Sequence, residues 1–117
     1  MMRATWLLGI LVACGFADFA PTEATPLTPP AAYRLWHQSI GECAGLTGRF
    51  ERITWYTVPG RDFSCPIGRC GGWFRPPHTI FLAQERVDDQ SLVQHEILHD
   101  LLQEGGHPPI FDICGVR

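Results

Sequence analysis

The segment VQHEILHDLLQEGGH, Val93 to His107, constrains the fold more than any other part of the chain. Laid out as a helix, Val93, Ile97, Leu98, Leu101 and Leu102 fill one continuous arc of about 180°. A helix whose apolar residues cover that much of its surface must bury it, so the rest of the chain has to supply a layer to pack on. His95 and His99 lie at the rim of the arc, about 40° apart. Glu96 lies beyond them, and Asp100 falls on the remaining polar side. Asp88, Asp89 or Ser91 can cap the start, Ser91 with Gln94 having capping-box spacing. Gly105-Gly106 stop the helix and permit a tight reversal.

The covering layer is legible upstream. After Pro29-Pro30, the stretch AAYRLWHQSIGECAGL places Tyr33, Trp36, Ile40 and Cys43 on one face of a helix ended by Gly45 and Gly48. RFERITWYTVPG, with Phe50, Ile53, Trp55 and Thr57, reads as a strand closed by Pro59-Gly60. Arg61 to Pro77 reads as irregular, and HTIFLA, His78 to Ala83, as a second short strand. The expected class is α+β: a backing helix, a short β-sheet and the His-bearing helix.

The first residues stand apart from this domain. MMRATWLLGILVAC has one charge, Arg3, before an apolar run too short to span a bilayer, as in an export signal. The run ends in LVACG, which resembles a bacterial lipobox and implies cleavage before Cys14 and acylation of that cysteine. An ordinary secretory signal cut a few residues later is the alternative. Residues 1–13 are therefore read as signal, the Pro/Thr/Ala-rich 14–30 as an extended tether, and 31–117 as one domain.

Four cysteines then remain, Cys43, Cys65, Cys70 and Cys114, an even set that suits two disulfides in an exported chain. Of the three possible pairings, CPIGRC favours a local Cys65–Cys70 loop, which leaves Cys43–Cys114. A cysteine zinc site would need closer pairs. The net charge is −3, and the nine basic residues, all Arg, are scattered. No basic stripe points to nucleic acid.

The chemistry lies in the helix. Imidazoles at i and i+4 stand one turn apart and can reach a single ion, so His95 and His99 are candidate zinc ligands. Glu96 is placed beside the ion, where a carboxylate can take a proton from water. A catalytic zinc site takes a third protein ligand. His107, just past the Gly pair and before Pro108-Pro109, is the first candidate and Asp112 the second. His37 and His78 read as surface or structural.

His95-Glu96-x-x-His99 resembles the zincins, the zinc metallopeptidase superfamily built on H-E-x-x-H. The resemblance implies a small zincin-like α+β domain, zinc on the two histidines and Glu96 as general base and proton shuttle. It also implies an edge strand before the helix that binds substrate by β-addition, which places Ile80, Phe81 and Leu82 as the substrate rail. The chain departs from metzincins: its third histidine comes eight residues after His99, and its only methionines are Met1 and Met2.

The expected protein is thus an exported zinc metallopeptidase. It would be lipid-anchored at the bacterial envelope, periplasmic or extracellular, acting on a peptide or protein, with the anchor as its one membrane contact. A non-catalytic metal- or partner-binding lipoprotein and a zinc amidase acting on a non-peptide amide are the competing readings.

Overall fold

A computed structural model describes residues 18–117. The expected signal, 1–13, and the expected lipidation residue Cys14 lie outside the described residues. The described residues form six strands and three helices. The strands are β1 (Thr25–Pro26), β2 (Thr54–Val58), β3 (Phe63–Cys65), β4 (Gly68–Cys70), β5 (Gly72–Arg75) and β6 (Thr79–Ala83). The helices are α1 (Ala31–Ala44), α2 (Gln90–Leu102) and the single turn α3 (Ile110–Ile113).

β6 organises the sheet. Successive side chains of a strand alternate between faces, and here Ile80 and Leu82 point one way while Phe81 and Ala83 point the other, all four buried. Such a strand needs cover on both faces and partners on both sides. It has them: the sheet runs β1-β2-β6-β5, with β2 parallel to β6 and the other pairs antiparallel. This corrects the reading of Ile80, Phe81 and Leu82 as an edge rail. Both ladders of β6 are already occupied, so its backbone has no edge to offer. On that side of the sheet the outer strand is β5.

On one face, Trp55, Phe74, Ile80 and Leu82 pack with Tyr33 and Ile40 of α1 and Val93, Ile97, Leu98 and Leu101 of α2. On the other, Phe81, Ala83 and Val58 pack with Phe63 and Cys70, and Phe19 makes edge-on contacts with Trp73 and Phe81. The expected tether is therefore part of the fold from Phe19 on. Thr25 and Pro26 pair with Thr57 and Tyr56, and Leu27 N–H donates to Trp55 O.

The stretch 61–77, expected to be irregular, holds the β3–β4 hairpin and β5. Strands of three and four residues with Gly and Cys in them carry too little alternation to be read in advance. Both expected disulfides are present, Cys65–Cys70 across the hairpin and Cys43–Cys114 from the end of α1 to the end of α3.

Asp100, expected on the polar side of its helix, is fully buried. The reason is Arg52. The predicted strand begins only at Thr54, because Phe50–Arg52 forms a 3-10 turn. From that turn Arg52 Nε donates to Asp100 Oδ2 at 3.0 Å, and Nη2 to the Asp100 carbonyl at 2.8 Å. His78 Nδ1 meets Asp100 Oδ1 at 2.8 Å, which gives His78 its structural role. His37 is buried on α1 with its ring edge-on to Phe50, and burial lowers its pKa. Asp100→Asn removes the charge and turns one of the two acceptor oxygens into a donor, so either Arg52 or His78 loses its side-chain acceptor. Asp100→Asn should cost about 3 kcal/mol, read as a lower urea midpoint at unchanged m-value; a loss below about 1 kcal/mol would show the network to be solvated.

Candidate metal centre

The helix that carries the site is fixed at both ends. Asp89 caps its start, accepting from Leu92 N–H at 3.1 Å, so the cap is Asp89 and not the Ser91–Gln94 box. At its other end Gln103 takes the left-handed conformation (φ 59°) and its N–H bonds back to the last turn. The stop is thus two residues earlier than Gly105-Gly106. The Gln103 amide secures it by donating to Asp100 O at 2.7 Å and Pro77 O at 2.8 Å. Gly105 and Gly106 lie in the reversal that returns the chain to the helix.

That reversal brings His107 back to His95 and His99. Ring nitrogens of the three lie within 4.8 Å of one another. His95 Nε2 stands 3.2 Å from His99 Nε2 and 3.1 Å from His107 Nε2. The opposite nitrogens of the inner pair are committed: His95 Nδ1 meets Val116 O at 2.5 Å and His99 Nδ1 meets Glu104 O at 2.9 Å. A carbonyl only accepts, so both Nδ1 atoms carry the proton and both Nε2 atoms present lone pairs. Lone pairs converging like this repel unless a cation lies between them. Two nitrogens bound to one tetrahedral zinc stand about 3.3 Å apart, close to the spacings seen. The donor set fits a divalent ion, with each inner ligand oriented by a backbone carbonyl.

Electrostatics point the same way. Burial holds His99 down to about 4 and also lowers His95, so both are neutral at physiological pH, the form that ligates. Burial pushes the Glu96 carboxyl up to about 8. A cation at the trio would oppose that shift and favour the carboxylate.

Glu96 is 4 % exposed and, among the described residues, accepts no hydrogen bond from the protein. Its side chain lies against β5: a Cβ added to Gly72 would stand 3.0 Å from both Glu96 Cγ and Oε2. Glycine at 72 thus lets the carboxyl lie on the strand backbone. Phe111 forms the floor, its ring centroid 4.7–5.1 Å from those of all three histidines. Phe74 stacks on His99 from the β5 side at 6.1 Å.

The expected residues thus divide clearly. His95, His99 and His107 come together, with Glu96 on the same helix. Asp112 sits on α3, exposed and paired with Arg117, outside the trio although it borders the same cavity. Ile80, Phe81 and Leu82 lie in the sheet interior. Gly72, Phe111 and the carbonyls of Glu104 and Val116 were missed. The Gly71-Gly72 pair was the visible signal for the first; carbonyl roles have none.

No family model, curated protein or solved structure matches the chain. Zinc titrated into chelator-stripped protein should bind at one ion per chain. His107→Ala should weaken it by about a hundredfold in competition with a chromogenic chelator, while Asp112→Ala should change it less than about twofold. The reverse order would make Asp112 the third ligand.

Proposed function

We propose that the chain is an exported zinc-dependent hydrolase of peptide bonds, with His95, His99 and His107 holding the ion and Glu96 as general base. The observation that carries the reading is the pairing of two features at one place. Three imidazole Nε2 atoms converge there, and a buried, unbonded carboxyl follows one of the ligands in sequence. A purely structural metal site has no use for that carboxyl. Placing it there without a protein partner costs stability, a cost that a general-base role facing the cavity would explain.

When bound, zinc supplies Lewis acidity and brings water towards a pKa of ~7. The chain's own residues do the rest. The Glu96 carboxylate accepts a proton from the attacking water and returns it to the leaving amine. Gly72 keeps that carboxylate against β5. Phe111 and Phe74 exclude water from the imidazoles and fix their planes.

Substrate docking falls to β5 rather than β6. Gly71 O accepts from Ala83 N–H, and bonds in an antiparallel ladder alternate, so Trp73 and Arg75 face β6 while Gly72 and Phe74 turn their N–H and C=O groups to the sheet's outer edge. An extended peptide laid there would pass beside Glu96. Two disulfides support an exported location.

Zinc-loaded protein should cleave members of a mixed peptide library, lose that activity to a chelator and regain it with zinc. Glu96→Gln should keep its zinc and cleave at least about a hundredfold more slowly. Full zinc with no cleavage of any peptide would instead favour a binding protein. Turnover of envelope cross-links alone would favour the amidase.

A further inference from the structure

A cavity of about 220 Å³ opens beside the metal centre, sharing His95 and Glu96 with it. Its remaining wall includes Gly71, Arg86, Asp89, Ser91 and Arg117. The hydrolysis just described uses none of these five.

Their bonding leaves hydrogen-bond donors in excess. Asp89 spends Oδ1 on Leu92 N–H and Oδ2 on Arg86, which donates to it from Nε at 3.0 Å and Nη2 at 2.7 Å. Arg86 Nη1 takes no part in that pair. It lies over the strand, 2.7 Å from where a Cβ on Gly71 would stand, so glycine there keeps room for the guanidinium. Arg117 is the second cation. It reaches Asp112 only through Nη1, at 3.2 and 3.4 Å, and both partners are mostly exposed. An exposed pair of that length is weak and readily exchanged. Arg117 also borders the neighbouring cavity of about 330 Å³, which contains His95, His107 and Phe111. It therefore stands where the two cavities meet.

Arginine presents planar, forked donors that match a carboxylate. We propose that this cavity is a recognition subsite for a substrate carboxylate, an Asp or Glu side chain flanking the scissile bond, with Arg86 and Arg117 as its specificity-determining residues. The inference rests on the hydrolase reading, since it names the peptides that the site selects. A peptide extended along β5 directs alternate side chains to the same side, and one of them enters beside Glu96.

The first measurement compares kcat/KM for peptides differing only by Glu or Gln next to the cleaved bond. The Glu form should be favoured about tenfold or more. Arg117→Glu should abolish that preference, and a Lys peptide added to the pair should then be favoured over both. Arg86→Gln should lower the Glu-to-Gln ratio, with Arg86→Lys restoring part of it. Cleavage without preference between the two peptides overturns the subsite and leaves the hydrolase standing.

The second measurement does not need turnover. Zinc-loaded Glu96→Gln protein is titrated with glutamate and glutamine as their N-acetyl amides, followed by amide chemical shifts. The glutamate compound should bind more tightly, shift Gly71, Ser91 and Leu92, and weaken in Arg117→Glu. That result in a protein without peptidase activity upholds the subsite while the hydrolase falls. Equal binding of the two compounds, or shifts confined to the three histidines, overturns it.

Discussion

The dominant constraint is the burial of α2 on nearly every side. Helix α1, the sheet and the C-terminal segment enclose it, so Gln94, Glu96, His99 and Asp100 are buried along with the apolar arc. Each buried polar group then needs a partner, and partners come from separate parts of the chain. Gln94 donates to Trp36 O, Asp100 takes Arg52 and His78, His95 takes Val116 O and His99 takes Glu104 O. These bonds fix the helix in rotation and position, because slipping it would orphan several polar groups at once. Glu96 is the exception. Among those polar groups of α2, it faces a cavity without a protein hydrogen-bond partner.

A domain this size has little mass to spare for holding a reactive geometry. The chain compensates by giving several residues two duties. Asp89 both caps α2 and anchors Arg86. The reversal after Leu102 delivers His107 and also the carbonyl that orients His99. Phe111 fills the core and supports three imidazoles. Rigidity at the site therefore comes from sharing the scaffold's own bonds, which is how a small fold can preorganise ligands.

Much of this was legible in the sequence because it depends on period. The apolar arc of α2, the His pair one turn apart, the α1 face with Tyr33 and Ile40, and the third histidine after the reversal all follow from 3.6-residue spacing or chain stiffness. Cys65 and Cys70 announced their hairpin link by proximity. What escaped depends on three-dimensional neighbours. Asp100 looks solvated on a wheel, and only the 3-10 turn that aims Arg52 at it makes burial tolerable. An edge position for β6 follows from the zincin resemblance alone, whereas four consecutive apolar residues from Ile80 to Ala83 indicate cover on both faces. Gln103 replaced the Gly pair as the helix stop because its side chain supplies bonds that glycine cannot.

The Cys43–Cys114 link joins positions 71 residues apart. Past that link lies Val116, whose carbonyl orients His95; before it lies Phe111. The register of the three clustered histidines thus depends on a tail held by a bond to a distant helix. The crosslink closes that loop and so holds the tail near the histidines, and such a bond persists where thiols are oxidised. If the chain is exported as proposed, maturation would be ordered by geography: crosslinking where thiols oxidise, and loading of any ion only after the tail is in place.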